Sequence, residues 1–289
     1  MRNRSPFVPW QSAFSVDGLR RAWLAVRAAK GRGGSDGKTL AEFERRLDAN
    51  LNELREELIT GKYRPHTVTQ ILVPKPGGKW RPLKLWTVRD KVAQRAVYNY
   101  LEPVFEARFL DCSYGYRPGR STADASRAVS KARQEGAVWV LDADIKDCFE
   151  RMRSNLVMQR LARWQTPRPV RELIRHWLNA RIWNTWEGSP STAGTSQGGV
   201  ISPLLCNLYL HPFDQAMQKK GIYLVRFADD FVVLGPHQRA VRWAQRRAGA
   251  KLKGLGLEMN AHKTRITSFE EGFQFVGWFF IRDEVYQLK

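Results

Sequence analysis

Two adjacent aspartates, Asp229 and Asp230, separate two short runs of β-branched and aromatic residues at 223–227 and 231–234. Because so few residues are left to turn the chain, the pattern predicts a β-hairpin with both carboxylates at its tip. Neighbouring like charges make each other costlier to ionise, so a cation is expected beside them. Mg²⁺ suits this position, since one or two carboxylates bind it and substrate phosphates complete its coordination. A solvated acidic turn is the alternative interpretation.

A second acidic position ends the strand predicted at residues 137–145, where alternation places Asp142 and Asp144 on one face. Carboxylates from two strand ends can hold two Mg²⁺ ions about 3.5–4 Å apart, which activate a 3′-hydroxyl and neutralise a pyrophosphate leaving group. Nucleotidyl transfer is one reaction that such acids fit, with Asp144 and Asp229 assigned to bridging the ions and Asp230 to completing the cluster. Asp142 is interpreted as a solvated or paired acid.

The composition indicates a partner of opposite charge. The 289 residues include 48 Lys and Arg against 28 Asp and Glu, a formal net charge of +20, and such an excess points most often to nucleic acid. A membrane surface is disfavoured because the cations are spread along the chain instead of forming one basic amphipathic helix. The sequence also contains no apolar run of transmembrane length and no signal-peptide core, so no membrane partner is expected. Three cysteines without metal-ligand spacing predict a cytoplasmic location.

Periodic leucines and turn residues indicate where the elements lie. The clearest helix follows a capping box at Thr39 and Glu42, carries leucines at spacings of three and four, and stops at Gly61. Further helices are predicted near residues 18–30, 90–101, 122–135, 170–178, 203–219 and 237–255. Strands are predicted near residues 70–73, 80–83, 181–186, 266 and 273–280, besides those that carry the acids.

Taken in order, several segments resemble the successive motifs of reverse transcriptases, and most of all those of the group II intron type. The matching segments are residues 81–83, 88–94, 114–121, 144–149, 197–203, 227–230, 256–264 and 275–278. Single motifs of this kind are weakly specific, but their family order makes chance a poor explanation. The resemblance extends over residues 31 to 280.

The resemblance implies an α+β fold with the fingers and palm of a right-hand polymerase, an antiparallel palm sheet and helical fingers. The implied domains are an N-terminal helical extension at 1–62, fingers at 63–138 and 155–195, and palm at 139–154 and 196–289. The first palm segment carries the first catalytic acid and the second includes a primer-grip hairpin. Only twelve residues follow Gly277, so the thumb of the intron-encoded relatives is expected to be absent.

The same resemblance assigns roles to individual residues. The catalytic residues would be Asp144, Asp229 and Asp230, and the metal positions would be these three together with Ile145. The nucleotide-binding residues would be Arg81, Phe149, Gln197 and Lys263, with Phe149 as the bulky gate beneath the sugar or, alternatively, a core residue. The template and primer contacts would be Lys79, Gly198, Phe275 and Gly277.

The implied function is RNA-directed DNA polymerase, using Mg²⁺ or Mn²⁺, deoxynucleoside triphosphates (dNTPs), an RNA template and a DNA or RNA primer. A template-independent or defence-associated DNA synthase and a non-catalytic, maturase-like RNA-binding subunit are the alternatives. An RNA-synthesising polymerase is disfavoured by the bulk of Phe149. The cellular role stays open among CRISPR spacer acquisition with integrase proteins, phage defence and an intron remnant, and another subunit could replace the thumb.

Overall fold

The computed structural model describes residues 7–31, 33–74, 78, 80–191 and 198–288. In these residues a 3₁₀ turn (Trp10–Phe14) precedes the helices, which are α1 (Val16–Ala28), α2 (Leu40–Arg45), α3 (Leu47–Thr60), α4 (Val88–Glu106), α5 (Thr122–Gln134), α6 (Cys148–Arg151), α7 (Ser154–Arg163), α8 (Arg168–Leu178), α9 (Ser202–Met217) and α10 (Gln238–Gly254). The strands are β1 (Val68–Pro74), β2 (Trp80–Leu85), β3 (Trp139–Asp144), β4 (Ile182–Asn184), β5 (Ser189–Ser191), β6 (Tyr223–Phe227), β7 (Asp230–Gly235), β8 (Arg265–Ser268), β9 (Phe273–Phe275), β10 (Trp278–Ile281) and β11 (Glu284–Gln287). The sequence pattern does not predict helix α6, and α7 lies in the segment 155–195 for which the resemblance implied helical fingers without bounds for a helix.

The chain forms two compact units, and each is discontinuous in sequence. The first holds the described residues up to Ala107 together with Arg153–Leu205, and the second holds Arg108–Met152 and the residues from Cys206 onward. Residues 108–138, which the resemblance assigned to the fingers, therefore cluster with the strands that carry the acids. The naming of fingers and palm stays a prediction.

The first unit packs its helices through large apolar side chains. Trp23 of α1 lies 5.2 Å from the ring of Phe43, and the capping box predicted at Thr39 begins α2. The prediction of one continuous helix to Gly61 is wrong, because the backbone leaves the helical region at Arg46, where φ is −125°. The Asn50 amide donates to the Phe43 carbonyl across this break, which satisfies an acceptor that the interruption exposes.

A four-stranded sheet of order β2-β1-β4-β5 also belongs to the first unit. Strands β1 and β2 pair antiparallel, whereas β1 and β4 pair parallel. Tyr63 links helices α4 and α8 of the same unit. Its hydroxyl donates a hydrogen bond to Asp90 of α4 at 2.6 Å and accepts one from the Trp177 indole of α8 at 2.9 Å.

The second unit is built on an antiparallel sheet of order β6-β7-β3-β8, as the resemblance implied. One face of the sheet, with Val140, Val232 and Leu234, packs on α5 and on the aromatic residues of β9 and β10. The other face contacts α9, where the ring of Phe213 lies 5.1 Å from that of Phe231. The α+β class is thus confirmed in both units. Among the described residues, no helix is long and apolar enough to cross a bilayer.

Candidate active site

The β6–β7 hairpin presents the two adjacent aspartates, but not both in its turn. The backbone register pairs Phe227 with Asp230, so the two turn residues are Ala228 and Asp229. Asp230 is the first residue of β7. Ala228 adopts the left-handed conformation with φ of 59°. The expectation that both aspartates form the tip is therefore off by one residue, because a left-handed Ala228 lets Asp230 enter the sheet.

That register brings the second acidic strand end to the hairpin. Asp144 at the end of β3 lies opposite Asp230 on β7, and the Ile145 amide donates to the Asp229 carbonyl at 3.0 Å. Asp142 lies two residues back on the same face and pairs with Arg265 at 3.1 Å, as expected for a paired acid. The structure thus assembles Asp144, Asp229 and Asp230 from separate parts of the chain.

The ionisation of Asp229 and Asp230 is disfavoured by their surroundings. Partial burial, followed by the charge of Asp144, raises the pKa of Asp229 above its usual value. Partial burial, a hydrogen bond with Asp144 and the charge of Asp229 raise the pKa of Asp230 to about 7. One cation partly offsets this repulsion: Lys263 donates to the Asp144 carboxylate at 3.0 Å, and that hydrogen bond raises the pKa of Lys263.

These residues fit a divalent ion by their chemistry. Hard carboxylate oxygens meet where like charges repel, and Ile145, whose side chain is buried, can offer its main-chain carbonyl. In the described parts of the chain, no three His, Cys, Asp or Glu side chains already form a metal-holding group. Magnesium is commonly held by one or two carboxylates and substrate phosphates instead of a complete protein cage, so the donor set suits that ion.

The raised pKa of Asp230, caused by partial burial and then by its acidic neighbours, predicts a specific pH dependence of stability. Because the pKa of Asp230 is higher in the folded than in the unfolded chain, ionising it destabilises the fold as the pH rises from about 4 to about 7. Without divalent ions, Asp230→Asn should therefore melt at a higher temperature than the parent chain at pH 7.5, and the difference should vanish near pH 4. Thermal denaturation across this range measures it.

Asp111 provides a control of opposite sign. Its hydrogen bond with Arg120 lowers the pKa of Asp111, so its contribution to stability is present at neutral pH and lost on acidification. Asp111→Asn should lower the melting temperature at pH 7.5 and approach the parent chain at low pH. If Asp230→Asn, like Asp111→Asn, lowers the melting temperature at pH 7.5, the inference that Asp230 ionises at a cost to stability is wrong.

A buried arginine supports the hairpin turn from the face opposite Asp230. The fully buried Arg226 guanidinium donates two hydrogen bonds to the Asp214 carboxylate, both at 2.7 Å, and one to the Ala228 carbonyl at 2.8 Å. Further bonds reach Ser113 at 2.7 Å and Asn207 at 3.1 Å. Although burial alone would lower the pKa of Arg226, the charge of Asp214 raises it. The arginine therefore stays charged and fixes the turn that carries Asp229.

Sequence reasoning missed this network. The available signal was a charged residue at 226 within an otherwise apolar strand, at a position that alternation places on the buried face. Gly115 supports the same turn, because a Cβ at this position would lie 2.3 Å from the Ala228 nitrogen. A glycine is needed there so that the loop after Ser113 can approach the turn closely.

Phe149 lies near the acids in sequence and is buried in α6. Its ring meets that of Tyr116 edge to face, with centroids 6.1 Å apart. Tyr116 itself is 45% exposed, so the aromatic pair reaches from the core of the second unit to its surface. The gate and core interpretations of Phe149 are thus compatible.

The structure places two of the remaining predicted residues in the first unit, whereas the acids belong to the second. Arg81 is an exposed residue of β2 in the first unit. Gly198 is also exposed and belongs to the same unit, and because it lacks a side chain it can lie close to the Lys84 backbone. Lys79 and Gln197 lie outside the described residues. Their roles, and those of Arg81 and Gly198, stay predictions.

A β-hairpin is present where the primer grip is predicted, and its contact with a primer stays a prediction. Strands β9 and β10 pair Phe275 with Trp278, and Val276 and Gly277 form the turn with φ of 44° and 84°. The side chain of Phe275 is buried in the core of the second unit. Any contact with a primer at this hairpin would therefore involve Gly277 and the turn backbone.

Comparisons with known proteins identify the family of the chain. The pattern of the family described as reverse transcriptase (RNA-dependent DNA polymerase) matches residues 73–280. Protein YkfC of Escherichia coli (strain K12) is 30% identical, over 86% of this chain and 76% of that protein. The group II intron-encoded protein LtrA of Lactococcus lactis subsp. cremoris is 30% identical over 74% of this chain, which spans only 35% of LtrA.

Solved telomerases share the fold. The apo telomerase of Candida tropicalis superimposes with a TM-score of 0.63 at 15% identity, covering 82% of this chain and 52% of the telomerase. The telomerase of Candida albicans, solved with a fragment of telomeric RNA, gives 0.59 at 14% identity, covering 86% and 50%. At such identities the likeness concerns the fold alone. Since the family pattern covers most of the sequence, the chain belongs to the reverse transcriptase family, in its group II intron-like branch.

Proposed function

We propose that this chain is an RNA-directed DNA polymerase that extends a DNA or RNA primer with dNTPs on an RNA template. The observation that carries the proposal is the meeting of Asp144, Asp229 and Asp230 at two paired strand ends, beside Lys263. Two strand ends locked in one register hold the acids in a fixed arrangement, as catalysis by positioned charge requires.

The acids and the Ile145 carbonyl would hold Mg²⁺, with Mn²⁺ as an alternative. When bound, the ions would lower the pKa of the primer 3′-hydroxyl and neutralise the leaving pyrophosphate. Lys263, with Nζ 3.0 Å from the Asp144 carboxylate, would bind the triphosphate once that carboxylate has another cation. Arg81 and Gln197 would bind the nucleotide as well, and Lys79, Gly198, Phe275 and Gly277 would contact template and primer.

This proposal assigns the fingers to residues 63–138 and 155–195, and the palm to 139–154 and 196–289. Cytoplasmic action is proposed on the basis of the three cysteines, which are all free thiols, including the buried neighbours Cys148 and Cys206.

A single experiment separates the proposed function from its alternatives. A labelled DNA primer is annealed to an RNA template of defined sequence and incubated with the chain, Mg²⁺ and all four dNTPs, and the products are sequenced. A polymerase copies the template, whereas a template-independent synthase adds a tail that ignores it. A chain that binds the RNA tightly but adds no nucleotide is a non-catalytic RNA-binding subunit, and the proposal fails.

The buried ring of Phe149 predicts sugar selectivity. If it closes the space for a 2′-hydroxyl, Phe149→Ala should raise the kcat/KM ratio of ribo- to deoxynucleotides by about tenfold or more. The substitution also leaves a cavity, so the ratio is measured instead of the absolute rate. Phe149→Leu, which retains most of the bulk, should change the ratio less. An unchanged ratio in both variants would return Phe149 to a packing role.

A further inference from the structure

The segment after α10 returns to the end of β3 and pairs with it there. Met259 forms an antiparallel bridge with Ile145, and the main-chain N–H of Asn260 donates to the Asp144 carbonyl at 2.8 Å. These residues all belong to the second unit. The main-chain bond holds residue 260 beside Asp144 whatever side chain it carries, so the side chain can be substituted without loss of this pairing.

The side chain of Asn260, to which the proposed chemistry assigns no role, makes two hydrogen bonds of opposite kind. Its Nδ2 donates to Oδ1 of Asp144 at 3.3 Å, and its Oδ1 accepts from the main-chain N–H of His262 at 3.2 Å. The Asn260 carbonyl accepts two further bonds, from the main-chain N–H of Lys263 at 3.1 Å and from the Thr264 hydroxyl at 2.8 Å. One residue therefore forms the turn that leads to Lys263 and also contacts the carboxylate that Lys263 binds.

The two carboxylate oxygens of Asp144 have different donors. Oδ1 accepts from the neutral Asn260 amide, whereas Oδ2 accepts from the Lys263 ammonium at 3.0 Å. The ammonium repels an approaching cation and competes with it for the carboxylate, and the amide does neither. The Lys263 side chain is 62% exposed, so its ammonium can leave Oδ2 for water at little cost. Lys263 can therefore give up Oδ2 to an ion while Asn260 keeps its bond to Oδ1.

A role in the turn alone does not account for the Asn260 amide. Asn, Asp and Ser side chains all form turns of this kind, because the turn needs only an oxygen that accepts the N–H two residues later. The Nδ2 donor is not needed for that purpose, yet it is directed at the acid.

We propose that Asn260 is a positioning residue that orients the Asp144 carboxylate for ion binding, holding Oδ1 while Oδ2 exchanges the Lys263 ammonium for the ion. Hydrogen bonds to a ligating carboxylate fix its direction, and their loss typically lowers metal affinity about 10–100-fold. The inference rests on the proposed function, because it takes Asp144 as an ion-binding acid. It assigns opposite effects to the two donors of Asp144, since Asn260 supports ion binding and Lys263 competes with it.

The test measures Mg²⁺ affinity in the absence of any substrate. The melting temperature of the chain is followed as Mg²⁺ is added, and the concentration that gives half of the maximal shift is recorded. In Asn260→Ser the hydroxyl can still accept the His262 N–H, but it is too short to reach Asp144. The half-maximal Mg²⁺ concentration should therefore rise about tenfold or more.

Thr264→Val is the matched control for this variant. It removes the bond from the hydroxyl to the Asn260 carbonyl but leaves both donors of Asp144 in place. Without Mg²⁺ the two variants should melt at similar temperatures, because each loses one hydrogen bond of the same turn. Thr264→Val should keep its Mg²⁺ affinity within about twofold of the parent chain. Equal weakening in both variants would show that Asn260 acts only through the turn, and the proposal would fail.

Lys263→Gln tests the opposite effect. Because this substitution removes the cation from Oδ2, the half-maximal Mg²⁺ concentration should fall about two- to fivefold. If Lys263→Gln weakens Mg²⁺ binding as Asn260→Ser does, the opposite effects assigned to the two donors are wrong.

Primer extension gives a second readout and separates this inference from the proposed function. In Asn260→Ser the Mg²⁺ concentration at half of the maximal rate should rise about tenfold, whereas the rate at saturating Mg²⁺ should fall by less. A parent chain that responds to Mg²⁺ in melting but copies no template would refute the polymerase activity, and the melting series would still decide the role of Asn260. A parent chain that copies a template while Asn260→Ser binds Mg²⁺ normally would overturn the positioning role alone. Absence of any Mg²⁺ response in the parent chain would overturn it as well.

Discussion

Asp229→Asn should lower the rate of Mg²⁺-dependent primer extension on the order of 10³-fold or more while leaving the chain folded. The asparagine retains the shape of the turn residue but removes the charge that would hold the ions. Since partial burial and the charge of Asp144 raise the pKa of Asp229, removing its charge should also relieve repulsion. The melting temperature without divalent ions should therefore rise or stay unchanged.

Asp142→Asn is the matched control for this substitution. Asp142 lies on the same face of β3 as Asp144, but Arg265 already neutralises it. The control should keep extension within a few-fold of the parent rate. A second readout is the shift in melting temperature on adding Mg²⁺, which the parent chain and Asp142→Asn should show and Asp229→Asn should lose. Wild-type extension by Asp229→Asn, or equal loss in both variants, would remove the metal assignment.

Arg226→Met should lower the free energy of unfolding by about 3–5 kcal/mol, because it leaves Asp214 charged and unpaired in the core. This is the largest stability effect expected of any substitution discussed. Equilibrium unfolding in urea measures it, and Asp214→Leu alone should be similarly harmful because it strands the arginine.

The double variant Arg226→Met, Asp214→Leu distinguishes stability from positioning. Replacing both members of a buried ion pair by apolar residues often restores stability. It would not restore the hydrogen bond from Arg226 to the Ala228 carbonyl, which fixes the turn that carries Asp229. We expect a stable double variant whose primer extension stays at least about tenfold below the parent rate. Recovery of the full rate would show that Arg226 serves only to neutralise Asp214.

Local rules allowed much of the fold to be predicted. The capping box at Thr39, the hairpin after Tyr223 and the shared face of Asp142 and Asp144 all depend on residues close together in sequence. The resemblance then supplied the antiparallel sheet and the family, which the comparisons confirm. Such features are readable because hydrogen-bond geometry and side-chain alternation act over a few residues.

Features that depend on tertiary contacts could not be predicted in this way. The one-residue shift of the turn depends on the hydrogen bond from the Arg226 guanidinium to the Ala228 carbonyl and on the close approach of Gly115 to the Ala228 nitrogen. Both contacts depend on packing between residues that are far apart in sequence. The break at Arg46 likewise has no glycine or proline to mark it. The basic helix α10 was visible in sequence, but its packing against α9 depends on a tertiary contact, the hydrogen bond from Arg247 to the Ala216 carbonyl.

The parallel pairing of β1 with β4 has a consequence for synthesis of the chain. Val68 pairs with Ile182, so one edge of β1 stays unpaired until β4 has been synthesised, about 110 residues later. At 5–20 residues per second this delay lasts roughly 6–23 s, during which the edge of β1 can pair with a wrong strand. The strand ending in Asp144 emerges within the same interval. The nascent first unit therefore closes its sheet only after part of the second has left the ribosome, and a cut between the units would not yield two autonomous folding fragments.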